Sequence, residues 1–504
     1  MQLPFVKIVN GQGGLQRQPT GSDFISGLIA YMTTLPSGFA SNARTKIVNS
    51  VAQAEDLGIN YLYSDATAQT GVVQITAAGN NGDTLTIFHL NVKGESVNLG
   101  TYTKVSAHAN ANAVATAVAA VINTGTNVHG YTASAATSNV TITIPKFNGV
   151  SPGTLSTVIT GAMTTGITQA TGGSISPIAV LRYHIGEYFR IIPNGSLYVH
   201  IPGSTYGTNF EEITTLRNFA EGKIRQMAIM HDLATGFATN QVTKIQAQMD
   251  AAFAAYRPMV ALFAPEISGT TDLSALVDLS GLDSEMVSVQ IGQDAGGTGG
   301  WLYKANGKSI SDLGAKLGVL SLSKVSDSWA WVGAYNMTDG TELNTIGFSN
   351  GTTYATAETN NVLDQLATYG YCFLRKITDF VGTYNTQPNT ATLETSDYRF
   401  LYNNRTIQKA GRVERIAMIP FQSSPIILNS DGTMTDVTIE TFSGAIGQQL
   451  DVMVRAGELS NYAVTINPAQ NVLSTSSVDI SVALLPVGVA DYITITNRFT
   501  VTLA

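Results

Sequence analysis

Leu197-Tyr198-Val199-His200-Ile201 and Met259-Val260-Ala261-Leu262-Phe263 are two apolar, β-branched and aromatic runs. Between them lie two helical patterns, at 209–230 and 240–256. In the first, Asn209 stands at the N-cap with Glu212 as its capping-box partner, and Phe210, Ile213, Phe219, Ile224 and Met227 trace one apolar face. The second runs into Pro258, which closes it. Strand, helix and strand at this spacing predict a largely parallel sheet with helices packed on it. Working outward, residues 178–182, 286–291 and 309–317 read as strand, strand and helix, and a helix is expected at 41–57 with Ser41 as its cap. Gly58 stands just past the end of that helix.

The composition changes between 67 and 173. Charged residues there are Asp83, Lys93, Glu95, Lys104 and Lys146, where average usage would give roughly 25. Strands at 72–76, 84–92, near Tyr131 and at 140–144 surround an Ala/Val helix at 109–122. This segment predicts a β-rich domain inserted into the α/β region, with Ser64 and Gly173 close together. The expected fold class is therefore α/β and β-rich multidomain, an α/β core with an inserted β-rich outer domain and strand-forming arms. The divisions are an N-terminal arm (1–20), a core (21–66 and 174–385), the insert (67–173), a C-terminal domain (386–485) with a helix at 440–459, and a C-terminal arm (486–504).

Both ends are unusual. Leu3, Phe5, Val6, Ile8 and Val9 form a strand-like run, followed by a joint at Gly11, Gly13 and Gly14. At the other end Ile493, Ile495, Phe499, Val501 and Leu503 alternate with Thr and Arg, after a joint at Pro486 and Gly488. A strand at a terminus with no neighbour in its own chain is suited to pairing with another chain.

The chain has 504 residues, 12% of them charged, and a net charge of -8. Its 27 Lys and Arg are thinly spread, which argues against a nucleic-acid partner. No apolar run approaches the ~20 residues of a bilayer helix, and no export signal is expected at the N-terminus. The single Cys372 cannot form an internal disulfide and reads as a buried thiol, so folding in a cytoplasm is expected.

Catalytic patterns are incomplete. Gly149-Val150-Ser151-Pro152-Gly153 matches a nucleophile elbow in spacing, but Pro152 lacks the N–H that would serve the oxyanion. Asn306-Gly307-Lys308-Ser309 lacks the glycine a phosphate loop needs at the position of Leu302. His89, His108, His129, His184, His200 and His231 fall in no zinc spacing, and His200 is expected to be a packed or interface residue on its strand. No catalytic residue, metal or cofactor is expected, and the chain is read as a non-enzyme.

Three segments resemble the contractile tail sheath proteins of phages and related injection systems. They are Gly11-Gln12-Gly13-Gly14-Leu15 through Asp23-Phe24-Ile25-Ser26-Gly27-Leu28; Tyr183-His184-Ile185-Gly186-Glu187-Tyr188-Phe189-Arg190 with Pro193-Asn194-Gly195-Ser196-Leu197-Tyr198; and Leu485-Pro486-Val487-Gly488-Val489-Ala490-Asp491-Tyr492-Ile493. The resemblance implies a virion-tail subunit that stacks as six-fold rings around an inner tube and contracts to drive it through an envelope. It implies arms exchanged between subunits through Leu3, Phe5, Ile8, Ile493, Ile495, Phe499 and Val501. Implied partners are further copies, an inner tail tube protein, and baseplate and tail terminator proteins, with no nucleic acid and no membrane insertion. Asp451, Arg455 and Glu458 are the tube-facing candidates. A tail tube or capsid-type protein, or an extracellular adhesin, stays open as an alternative.

Overall fold

The computed structural model describes residues 23–499. Leu3, Phe5, Ile8, Gly11, Gly13, Gly14 and Val501 lie outside them. The centre is a seven-stranded sheet built from β1 (Ile25–Ile29), β2 (Thr45–Val48), β10 (Ser196–His200), β11 (Gln226–Ile229), β12 (Val260–Phe263), β13 (Val287–Gln290) and β16 (Tyr371–Cys372). Their order is β16-β13-β12-β11-β1-β10-β2, parallel throughout except for β2, which runs antiparallel against β10. Strands β11, β12 and β13 are buried at every residue, as parallel strands covered on both faces must be.

Alternate side chains go to opposite layers. Leu28, Val199, Ala228 and Leu262 join a core with α4 (Pro177–Ile191) and α8 (Leu313–Leu322). Ile29, Tyr198, Ile229 and Phe263 join another with α5 (Glu211–Phe219) and α6 (Thr239–Ala254). The second core also takes residues from α9 (Tyr354–Thr359) and α10 (Leu363–Thr368). Helix α7 (Thr298–Asn306) and two antiparallel pairs, β14 (Gly292–Asp294) with β15 (Ile346–Phe348) and β17 (Leu374–Ile377) with β18 (Phe380–Asn385), complete this region. Cys372 is fully buried on β16, and burial pushes its thiol pKa up.

Several expected elements differ. Residues 41–57 do not form one helix: 45–48 pair with β10 as an edge strand, and α1 (Val51–Asp56) starts only at its cap, Ser50. Residues 178–182 are helical, not a strand. They belong to α4, which Ser176 caps and Pro177 opens, and a short apolar run cannot distinguish a buried strand from a helix buried all round. The pattern at 209–230 is broken where Glu221 (φ 53°) and Gly222 (φ 71°) turn the chain into β11. The N-cap of α5 is Phe210, in the left-handed region, and not Asn209. Glu212 forms no capping box; it accepts from the Tyr31 hydroxyl and the Gly207 N–H. The helix expected at 309–317 is α8, at 313–322.

Residues 70–171 form two further sheets. One has the order β6-β7-β3-β9, from β3 (Thr70–Ala77), β6 (Thr132–Ala136), β7 (Asn139–Thr143) and β9 (Thr164–Thr171). The other has the order β5-β4-β8, from β4 (Thr84–Leu90), β5 (Ser96–Thr103) and β8 (Thr154–Thr160). Helix α2 (Ala111–Thr124), capped by Asn110, packs Val114, Val118 and Ile122 into their common core, and the single turn α3 (Thr126–His129) follows. Thr67 N–H donates to Ser174 Oγ (2.7 Å) and Ser174 N–H to Thr67 O (3.3 Å), so the chain enters and leaves at one point.

The C-terminal part packs α11 (Leu401–Met418) on α12 (Asp436–Arg455) through Ala410, Ile446, Leu450 and Met453. Thr435 caps α12, which lies at 436–455, displaced from the expected 440–459. An antiparallel ladder of β19 (Asn461–Ile466) and β20 (Ile480–Leu485) lies on these helices, with α13 (Val472–Thr475) in its connection.

Candidate assembly surface

The β19–β20 ladder pairs from Asn461↔Leu485 to Ile466↔Ile480. Neither strand has a second neighbour among the described residues, so both outer edges are unpaired. Tyr462, Val464, Ile480, Val482 and Leu484 turn toward the helices but are only partly buried, because two strands do not cover the helical layer. Beside β20 runs a groove of about 870 Å³, lined by Ile480, Val482 and Leu484 on one side and by Phe253, Ile407 and Met418 on the other.

The chain continues straight from β20 into Pro486. Residues 486–499 belong to no helix or strand, and their apolar side chains face outward: Ile493 is 79% exposed, Ile495 78% and Phe499 fully. Pro486 accepts from Ser460 Oγ (2.9 Å), and Gly488 has open space around its Cα. Three large apolar side chains in water on one short segment form a surface that burial against another chain would stabilise.

Of the charged candidates, Asp451 and Arg455 lie one turn apart on the exposed face of α12; Asp451 accepts from Tyr462 OH (2.8 Å). Glu458 is different. It lies past the end of α12, is buried, and receives Lys409 Nζ at 2.7 Å, so it is committed inside the subunit and is withdrawn from the exposed candidates.

That ion pair belongs to a network that sequence reading did not find. Asp23, at the start of the described chain, takes Lys409 Nζ (2.7 Å) and Arg412 (2.6 Å) from α11, and its side chain is 19% exposed. The partners are hundreds of residues apart, and no local pattern signals them. Burial pushes the Asp23 carboxyl up, but Lys409 and Arg412 outweigh it and hold the pKa below the ordinary carboxylate range. Because the folded-state pKa is depressed, this stabilisation is present above the unfolded value and is lost as pH falls through the folded one. Asp23→Ala should therefore lower unfolding stability by about 3 kcal/mol at pH 7, since it takes the carboxylate from the poorly solvated Arg412 and leaves Lys409 with Glu458 alone. The gap between wild type and variant in chemical denaturation should narrow below about pH 4.

The other singled-out motifs take structural places. Gly149 and Gly153 adopt positive φ (57° and 59°) in turns, and Gly307 (φ 61°) ends α7. His200 is buried on β10, with Nδ1 2.7 Å from Thr45 Oγ1. Among the described residues no helix is long and apolar enough to cross a membrane.

Comparison with known proteins finds three kinds of result. Residues 397–504 match the family model described as DUF2586, C-terminal domain. No curated protein matches. Among solved structures, the chain is similar to the anti-feeding prophage helical sheath in its contracted state, at 17% identity over 64% of this chain and 81% of that one, with a TM-score of 0.45. It is also similar to the PVC sheath complex of an extracellular contractile injection system in its contracted state (14% identity, 64% and 80%, TM-score 0.41). A third is the six-fold symmetrised baseplate of the anti-feeding prophage (15% identity, 63% and 80%, TM-score 0.43).

Proposed function

We propose that the chain is the structural subunit of a contractile tail sheath, joined to its neighbours by strand exchange at β19–β20. The observation that carries this reading is one juxtaposition. A two-stranded ladder open on both edges borders an apolar groove, and a segment with exposed Ile493, Ile495 and Phe499 leaves the same ladder. Residues 486–504 of one copy extend the ladder of the next, and the run from Leu3 to Ile8 with Val501 adds further pairing. Such contacts are heterologous, so they propagate into rings and helices instead of closing a dimer.

In this reading the subunits stack as six-fold rings around an inner tube. Gly11, Gly13, Gly14, Pro486 and Gly488 are the joints that let the arms stay paired while the bodies rotate. Asp451 and Arg455 are the tube-facing contacts; exposed ionic contacts worth about 0–1 kcal/mol each release easily. An extended lattice that stores only about 1.4 kcal/mol per subunit is biased tenfold toward contraction at each one. The ends of the assembly meet baseplate and terminator proteins, and the whole is a tail structure assembled in the host.

The insert at 67–173 is the outer domain and is dispensable for assembly. Replacing it with a short Gly/Ser linker between Ala66 and Ser174 should preserve polymerisation, as seen by sedimentation. Loss of all soluble protein would place the insert in the folding core.

The test of strand exchange is a paired cysteine experiment, with Ile495→Cys on the arm and Ala463→Cys on β19. Oxidation should give a ladder of covalent multimers on a denaturing gel. Exclusive intramolecular bonding, or none, would contradict exchange. The native Cys372 is buried and stays out of the reaction.

A further inference from the structure

The inserted domain presents seven strands with little charge, a composition that invites edge-to-edge pairing. Among the described residues strand β6 is the edge of its sheet, with β7 on one side only. Its sequence, Thr-Ala-Ser-Ala-Ala, carries no charge, no proline and no bulge against β7. By composition it is an unprotected edge.

The outward backbone groups at its start are nevertheless occupied. Asn123, in the last turn of α2, meets Ala133 with both ends of its amide. Nδ2 donates to Ala133 O (2.8 Å), and Oδ1 accepts from Ala133 N–H (2.8 Å). This reproduces both bonds that a paired residue on a neighbouring strand would make. The preceding outward residue is treated alike: Tyr131 N–H donates to His129 Nδ1 (3.0 Å), and Thr126 Oγ1 donates to Tyr131 O (2.8 Å). Two-residue alternation leaves Ala135 as the next outward position.

Strand β8 shows the same device. It is the edge of the other sheet, paired only with β4. Gln169 of β9 donates from Nε2 to Leu155 O (2.9 Å) and accepts at Oε1 from Leu155 N–H (2.7 Å). The remaining edges of the central sheet are short: β16 has two residues, and β2 has four, including Lys46. The β19–β20 ladder is six residues long on each strand; Gln470 meets Asp479, just before β20, with both ends of its amide (2.8 and 2.6 Å), and among the described residues no amide meets 480–485 in this way.

We infer that Asn123, Thr126 and His129 on β6, and Gln169 on β8, are edge caps that keep these two strands from adding the strand of a second copy. In a crowded array of identical chains, an open β6 would find β6 of another copy at high local concentration, and each pair so formed would be an off-lattice link. The caps act in the single chain and do so whether or not β19–β20 receives an arm.

The test uses the full-length chain with Ser134→Cys as an exposed reporter and a short thiol-specific cross-linker. It compares the capped chain with one carrying Asn123→Ala and Thr126→Ala. Asn123 lies on the exposed end of α2, where alanine favours helix, so the single variant Asn123→Ala serves as the milder form. Hydrogen exchange at 131–136 should rise several-fold in the uncapped chain while 139–143 stays protected, since one edge loses its bonds and the sheet remains. Covalent dimers through position 134 should appear only in the uncapped chain, and adding Ala135→Lys should abolish them by placing a charge on the edge. Unchanged exchange at 131–136 in both variants would overturn the inference. So would faster exchange without cross-linking above the capped control.

Discussion

Deleting residues 492–504 is expected to leave a soluble, folded subunit that no longer polymerises. The described part of that segment, up to Phe499, contributes nothing to any buried cluster of its own chain, so its removal costs the fold almost nothing. Assembly should lose everything the segment supplies. Each ladder hydrogen bond contributes about 0.5–1.5 kcal/mol net, and burying an isoleucine or phenylalanine contributes about 1.5–3 kcal/mol. Several of each per interface amount to many orders of magnitude in association. Ile495→Asp with Phe499→Asp should act like the deletion, because it removes the apolar side chains whose burial drives association and adds two carboxylates that must shed water to bind. Sedimentation velocity reads the outcome, with a single slow species expected at concentrations where wild type sediments fast. Polymers of wild-type length from the truncated chain would defeat the arm account.

Gly314→Ala is expected to damage the core severely for so small a change. Helix α8 carries Gly314 and Gly318 one turn apart, and they let it cross α4 at backbone contact. A Cβ at Gly314 would lie 2.2 Å from His184 O and 2.6 Å from its Cα, and one at Gly318 would lie 2.8 Å from Ile191 Cβ. The obstacle at Gly314 is backbone, so no rotamer change relieves it and the helices must separate. Overpacking of this kind costs about 3 kcal/mol or more. Gly444 is the control. It lies on the exposed face of α12 with nothing within 4 Å, so Gly444→Ala should stabilise by about 1 kcal/mol. Opposite signs for the same chemical change, measured by denaturant unfolding, would establish that close approach, not glycine's flexibility, fixes Gly314. A neutral result at Gly314 would mean the α4–α8 contact is loose.

What the sequence disclosed follows physical lines. The runs at 197–201 and 259–263 were legible because strands buried on both faces must be continuously apolar, and Pro258 marks the boundary. Residues 178–182 misled for the same reason: a helix enclosed between a sheet and another helix is also apolar all round. The break at Glu221 and Gly222 inside an apparently continuous pattern was hidden, because Phe219, Ile224 and Met227 keep helical spacing across a turn that tertiary packing imposes. In the insert, β5, β8 and β9 escaped notice because Thr, Ser, Asn, Gln and Gly together outnumber their apolar residues. The alternation Ile480-Ser481-Val482-Ala483-Leu484 has the period of a strand but was not singled out, so the open ladder is a finding of the structure. Neither the amide caps at Ala133 and Leu155 nor the Asp23 network could be read, since each joins residues that only the fold brings together.

Electron microscopy of the purified full-length chain, expressed without any partner, tests the central claim most directly. The account predicts rings or tubes of repeating subunits. Because no tube is present to hold an extended lattice, they should take the contracted form from the start. Monodisperse single subunits at every concentration, with the C-terminal segment intact, would contradict it.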